Sequence, residues 1–204
     1  MKTIGLIGGM SWESTVTYYQ QINELVNQKL GNLHSAKIIL ASVDFDEIEK
    51  CQSNNQWDKS AEILGKQAQS LEKAGADFVL ICTNTMHKVA DQVQSYISIP
   101  LLHIADATIL ELKKNNITKI GLLGTKYTLK QDFYKKRIID SGIDVLTPNN
   151  DDIEIVNNII FSELVLGKIK PESKKKYLSI INKLQEDGAQ GIILGCTEIG
   201  LLIQ

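Results

Sequence analysis

The sequence predicts an α/β protein made of two similar parallel-sheet, three-layer domains related by a pseudo-twofold axis. Three observations lead there. Short aliphatic runs alternate with longer stretches of helical period, the pattern of strands joined by crossover helices. Two landmarks recur in the same order in both halves of the chain. Each half also carries an aliphatic run that ends in Cys-Thr, at Cys82-Thr83 and Cys196-Thr197.

The strand-like runs are residues 3–8, 37–43, 77–82, 101–104, 119–124, 143–146 and 190–195. They are short and aliphatic, as expected of buried parallel strands. The stretch after the first run places Val16, Tyr19, Ile22, Leu25, Val26 and Leu30 on one helical face, and Gly31 follows as a stop. After Cys82, Asn84 or Thr85 is a natural cap for a helix with Met86, Val89, Ala90, Val93 and Ile97 on its apolar face. Ser98-Ile99-Pro100 interrupts that helix. The predicted domains are therefore residues 1–99, containing Cys82, and 100–204, containing Cys196.

The repeat is more specific than the alternation. Gly5-Leu6-Ile7-Gly8 returns as Gly121-Leu122-Leu123-Gly124, and Leu71-Glu72-Lys73-Ala74-Gly75-Ala76 returns as Leu184-Gln185-Glu186-Asp187-Gly188-Ala189. From Gly5 to Cys82 is 77 positions and from Gly121 to Cys196 is 75. Both cysteines are thus expected at the carboxyl end of a strand, where open α/β sheets bind ligands.

Composition excludes several classes of function. The chain has 204 residues, 43% of them hydrophobic and 23% charged, which fits an ordinary globular protein with a sizeable core. A formal charge of −2 offers no field for a nucleic-acid backbone, and Lys174, Lys175 and Lys176 read as a solvated helix face. The opening run is too short for a signal peptide and no stretch is long enough to span a membrane, so a cytoplasmic location is expected. Three irregularly spaced cysteines make no disulfide framework, and neither they nor the three histidines show metal-ligand spacing. Gly5, Gly8 and Gly9 lack the GxGxxG spacing of a dinucleotide site.

Two opposed thiols suit a reaction that removes a proton from one face of a tetrahedral carbon and returns one to the other. One acts as thiolate base and the other as thiol acid, and the roles swap for the opposite enantiomer. A free thiol is mostly protonated near neutrality, so at least one pKa is expected to be lowered by a helix N-terminus. A lone cysteine is often only a small buried hydrophobe, and Cys51, which has no counterpart in the repeat, reads that way. His87 either supports the thiolate or is satisfied by its neighbours. Glu198 either orients Cys196, receives an amino group or caps a helix. His103 and Asp106 read as anchors of the crossover and His34 as a surface residue.

The chain resembles the aspartate/glutamate racemase family. The matching blocks run Ile4-Gly5-Leu6-Ile7-Gly8-Gly9-Met10-Ser11-Trp12-Glu13-Ser14-Thr15, then Cys82-Thr83-Asn84-Thr85-Met86-His87, then Gly195-Cys196-Thr197-Glu198-Ile199-Gly200. Shorter ones are His103-Ile104-Ala105-Asp106-Ala107-Thr108 and Gly124-Thr125-Lys126-Tyr127-Thr128. The resemblance implies two similar domains with the site between them, no cofactor (pyridoxal phosphate included), and usually a homodimer; the spacing of cysteines and histidines separately speaks against a metal site. It implies Cys82 and Cys196 as the acid/base pair. Met10, Ser11, Thr83, Asn84, Thr85, Thr125 and Thr197 become substrate-binding candidates, with Gln52 a further one. A neutral Gln52, where aspartate-selective members tend to carry a cation, fits a broader Asp/Glu enzyme.

The family pattern continues past the second cysteine block into another strand-like segment and a last helix returning to the first domain. This chain stops at Gln204, so exposed apolar surface on the first domain, with a low melting temperature or strong association, is expected. Two other readings stay open. One is a sister chemistry on the same fold: hydantoin racemase, maleate isomerase or arylmalonate decarboxylase. The other is a non-catalytic small-anion binding or redox-sensing module.

Overall fold

The structure, a computed structural model, describes residues 1–203. The chain divides into two compact units, Met1–Ile104 and Ala105–Gln204. In the first unit the order is β1 (Thr3–Gly8), α1 (Trp12–Leu30), β2 (Lys37–Ser42), α2 (Phe45–Ser53), α3 (Trp57–Lys73) and β3 (Phe78–Ile81). A 3-10 turn (Thr85–Val89) and α4 (Ala90–Gln94) follow. The second unit takes α5 (Ile104–Lys114) from its first turn on. It continues through β4 (Lys119–Leu123), α6 (Lys126–Lys130), α7 (Asp132–Asp140), β5 (Asp144–Leu146) and α8 (Asn150–Ser162). A 3-10 turn (Leu164–Leu166), α9 (Pro171–Glu186), β6 (Gly191–Leu194) and α10 (Ile199–Leu202) complete it.

Both units hold a three-stranded parallel sheet with the same connectivity, β2-β1-β3 and β5-β4-β6. The first strand of each unit is central, so it must be apolar on both faces. Leu6 and Ile7 on β1, and Ile120, Leu122 and Leu123 on β4, are accordingly fully buried. The glycines of the repeated motif serve packing. A Cβ on Gly5 would meet Leu71 and Ala76 within 3.3 Å, and one on Gly121 would lie 3.0 Å from Leu184 Cδ1. Their absence lets α3 and α9 approach the central strands.

The second landmark of the repeat is a matched turn. Gly75 and Gly188 take φ values of 95° and 96°, a conformation that favours glycine. The next backbone amides close the same bonds in each unit, Ala76 N–H to Leu71 O at 3.0 Å and Ala189 N–H to Leu184 O at 2.9 Å. Asp77 and Gln190 then start the last strand by pairing with Thr3 O and Lys119 O at 2.8 and 2.9 Å. Their side chains reach back as well, Asp77 Oδ2 accepting from Thr3 N–H at 2.6 Å and Gln190 Oε1 from Thr118 N–H at 2.8 Å.

Three local expectations need correction. Residues 101–104 do not form a strand: Leu101 makes a single parallel bridge to Val79, and Ile104 already begins α5. Pro100 has no N–H, and helix onset leaves too little chain to extend the ladder. The segment after Cys82 is a 3-10 turn before it becomes α-helical at Ala90, although Met86, Val89, Ala90 and Val93 are buried as expected. The apolar face of α1 is not a core face. Val16, Tyr19, Leu25 and Leu30 are 52, 54, 63 and 48% exposed, and the helix buries Ser14 and Thr15 instead. In the first unit the core is built on α3, through Ala61, Leu64, Ala68 and Leu71, packed with Ile48, Val79, Ile81 and Met86.

This difference in burial sets a contrast between two leucines. Leu6→Ala, at a fully buried position, should cost about 2–5 kcal/mol, whereas Leu25→Ala on α1 should change stability by less than about 0.5 kcal/mol. Chemical denaturation of both variants checks this, and a large loss at Leu25 would show that α1 is covered in solution.

Candidate active site

In the first unit the candidate residues collect at the carboxyl ends of β1 and β3. Cys82 directly follows β3, and its N–H donates to Ile7 O at 2.9 Å, the last rung between the two strands. The β1–α1 turn lies beside it. Gly9 has φ 90°, and a Cβ there would sit 2.1 Å from Val43 O, so the turn passes against the end of β2 as only glycine can. Ser11 also has a positive φ, 86°, uncommon for a residue with a side chain. Its hydroxyl caps α1 by accepting from Ser14 N–H at 3.3 Å, and it lies 3.1 Å from Glu13 Oε2.

Two buried hydroxyls that sequence reasoning did not single out hold this turn in place. Thr15 Oγ1 accepts from Gly9 N–H at 2.9 Å, and Ser14 Oγ donates to Cys82 O at 2.9 Å. Both belong to the quoted Trp12-Glu13-Ser14-Thr15 run, and hydrophilic residues at the start of an apolar helix were the available signal. Met10 is 3% exposed and belongs to the core cluster. Thr83 and Thr85 are half-buried and Asn84 is buried. Gln52 is half-buried on α2, directly after Cys51, which at 1% exposure packs as a core residue.

His87 has a structural explanation. Its Nδ1 lies 2.9 Å from Thr83 O, and its Nε2 accepts from Ile104 N–H at 3.2 Å. That pairing needs the neutral tautomer with the proton on Nδ1. The ring also meets His103 edge-on, with centroids 4.6 Å apart. Both ring nitrogens therefore engage backbone, and the imidazole ties the turn after Cys82 to the crossover. His103 is part of that anchor, whereas Asp106 instead takes a bidentate pair from Arg137 at 2.6 and 2.9 Å.

The second unit repeats the arrangement with different side chains. Thr125 follows β4 and caps α6, as Ser11 caps α1 after β1, its Oγ1 accepting from Thr128 N–H at 3.4 Å. The last rung between β4 and β6 is Gly195 N–H to Leu123 O at 2.6 Å. By register Gly195 is therefore the counterpart of Cys82, and Cys196 lies one residue farther out. A side chain at the rung would clash, since a Cβ on Gly195 would be 2.8 Å from Leu123 O. The one-residue offset leaves Cys196 partly exposed while Cys82 is buried.

Cys196 also has a carboxylate partner. Its thiol donates to Glu198 Oε2 at 2.9 Å, and Thr197 Oγ1 donates to the same oxygen at 2.9 Å. Glu198 is 7% exposed, and Thr197 is exposed. Neither thiol is lowered, contrary to expectation. Burial pushes Cys82 up to about 12. Burial, the Glu198 charge and its hydrogen bond hold Cys196 well above the ordinary thiol range. The turn after Cys82 is 3-10 and α10 has only four residues, so neither provides the aligned dipole of a long helix.

Among the described residues, no three His, Cys, Asp or Glu side chains converge as a metal-ligand set. Among the same residues no helix is long and apolar enough to cross a membrane.

Known proteins give this arrangement a context. A crystal structure of a candidate Asp/Glu racemase from Yersinia pestis is 55% identical, with a TM-score of 0.95, and the match covers 100% of this chain and 89% of that one. An aspartate racemase homologue from Pyrococcus horikoshii OT3 is 38% identical, with a TM-score of 0.88 and the same coverage of 100% and 89%. The broad specificity amino-acid racemase RacX of Bacillus subtilis is 25% identical over 216 residues, spanning 98% of this chain and 87% of that protein. The family model for Asp/Glu/hydantoin racemases matches residues 7–204. With a match that takes in nearly the whole chain, this protein belongs to the Asp/Glu/hydantoin racemase family, a family of isomerases.

Proposed function

We propose that the protein racemises amino acids without a cofactor, with aspartate and glutamate as its leading substrates, and that Cys82 and Cys196 are the acid/base pair. The observation that carries this reading is the recurrence of a Cys-Thr pair just past the third strand of two sheets with identical strand order. The names of its relatives point to the same substrate class: an aspartate racemase homologue and a broad specificity amino-acid racemase.

In the proposed step one sulfur, as thiolate, takes the α-proton while the opposite thiol gives its proton to the other face of the carbon. The C–H bond broken on one side is replaced by one formed on the other, so protons balance within the pair. The developing charge and the α-carboxylate would be held by backbone amides and hydroxyls of the strand-end loops, from Ser11, Thr83, Asn84 and Thr85 in one unit and Thr125 and Thr197 in the other. Met10 would shape the apolar floor, and Gln52 would meet the distal group. Since both thiols rest protonated, the substrate has to help create the thiolate. Its ammonium group supplies a positive charge beside a sulfur, which lowers a thiol pKa by Coulomb attraction.

Incubating the protein with L-glutamate or L-aspartate in D2O should give the D-enantiomer with deuterium at Cα. Absence of exchange by folded, reduced protein excludes those substrates. Cys82→Ser and Cys196→Ser should each lower racemisation by at least about a hundredfold, the contribution of a positioned acid or base. A full rate in either variant removes that sulfur from the mechanism.

The raised Cys82 pKa has a second consequence. A thiol held protonated in the fold stabilises it below the ordinary value of 9.0, and that stability is lost as pH climbs toward about 12. The unfolded chain releases its proton first, so the sign is destabilisation by alkali. The shift corresponds to on the order of 4 kcal/mol over that interval. Melting temperature measured from pH 8 to 11 should fall less steeply for Cys82→Ser than for the parent. Parallel curves would mean that the Cys82 pKa is ordinary.

A further inference from the structure

The two halves repeat their backbone, but not the charge beside their cysteines. Two residues after Cys82 the chain carries neutral Asn84, and two residues after Cys196 it carries Glu198. The Glu198 carboxylate is 7% exposed and sits in the turn before α10. Its Oε2 accepts from both the Cys196 thiol and the Thr197 hydroxyl at 2.9 Å, so two donors fix its orientation toward the sulfur.

We propose that Glu198 is a positioning residue that keeps Cys196 as the thiol, making Cys196 the resting acid and leaving Cys82 to serve as the first base. The inference rests on the racemase reading above and assigns the unequal roles within it. A thiolate at Cys196 would face a carboxylate across 2.9 Å in a partly buried setting, whereas the thiol form is a hydrogen-bond donor to that same oxygen. Both effects favour the protonated sulfur.

Among the described residues, Tyr177 of α9 also interacts with Cys196, and its hydroxyl donates to Val156 O at 3.2 Å. It is fully buried, and burial keeps its phenol neutral. Cys196 packs against the apolar core cluster of the second unit, which includes Leu123, Val156, Leu164 and Ile199. Glu198 thus adds its charge and its hydrogen bond to burial in keeping Cys196 protonated.

In a forward turn substrate binding releases the Cys82 proton to solvent, the resulting thiolate takes the α-proton, and Cys196 gives its own to the opposite face. The pair ends with Cys82 as thiol and Cys196 as thiolate. That thiolate now lies against a carboxylate, so Cys196 takes a proton back from solvent, and the resting state with both sulfurs protonated returns.

Site-resolved alkylation tests the assignment without any turnover. Full-length protein is treated with iodoacetamide from pH 6 to 11, and the Cys196 peptide is quantified by mass spectrometry for the parent, Glu198→Gln and Glu198→Asp. Gln keeps the shape and removes the charge, so the Cys196 midpoint should fall by about 1–3 units, as expected for loss of a neighbouring like charge. At a fixed pH below both midpoints that is a rise in labelling rate of up to about tenfold for each unit, less the lower nucleophilicity of the less basic thiolate. Glu198→Asp should stay near the parent, and Cys82 labelling should not move. A folded Glu198→Gln protein with an unchanged Cys196 midpoint overturns the proposal. If Glu198→Gln does not fold, Glu198→Ala decides on the same readout: a fall of the Cys196 midpoint by about a unit or more sustains the proposal, and an unchanged midpoint overturns it. Failure of deuterium exchange in D2O, by contrast, would reject the racemase reading while leaving the alkylation result intact.

Discussion

The last rung of each parallel ladder is the constraint on which the candidate site depends. Cys82 N–H bonded to Ile7 O and Gly195 N–H bonded to Leu123 O mark where each sheet stops. Beyond that point backbone amides are no longer consumed by the ladder and can meet a ligand. The rung is strong because it lies next to a central strand buried on both faces, where an unmade hydrogen bond would carry its full desolvation cost. A sulfur attached at, or one residue beyond, such a rung is held by backbone that the ladder and the buried central strand both fix.

Around that anchor the turns after the central strands do complementary work. After β1, Gly9 passes under Val43 and Ser11 accepts an unfavourable φ. Thr15 and Ser14 fasten the turn to the backbone of Gly9 and Cys82. After β4 the corresponding cap is Thr125. Strain tolerated at Ser11 is understandable only because buried hydrogen bonds surround it. The same economy explains His87, whose two nitrogens bind the backbone at Thr83 and Ile104. An imidazole held in this way braces the Cys82 turn.

The two thiols are alike in origin and unlike in setting. Cys82 is buried, with desolvation alone raising its pKa. Cys196 is partly exposed, one step past the rung, and hydrogen-bonded to a carboxylate. Duplication supplied a symmetric frame, and the side chains two residues after each cysteine made it asymmetric. Such asymmetry puts the two sulfurs in different electrostatic settings, one desolvated and one beside a carboxylate.

The sequence by itself determined the fold class, the duplication and the position of both cysteines at strand ends. These follow from local rules: aliphatic runs with nothing polar to solvate become central strands, and glycines at φ near 95° end the preceding helices. The tertiary structure alone decided how α1 packs. Its residues 16–30 satisfy a helical period perfectly well, yet that stripe is exposed, because periodicity reports that a helix has an apolar face and not whether anything lies against it. It also decided the one-residue offset of Cys196 from the rung, which spacing in the chain could not distinguish from equivalence. Finally, it decided the state of the thiols. A pKa depends on burial and on charges brought near in space, and the pairing of Cys196 with Glu198 became visible only once the loop before α10 had turned back on itself.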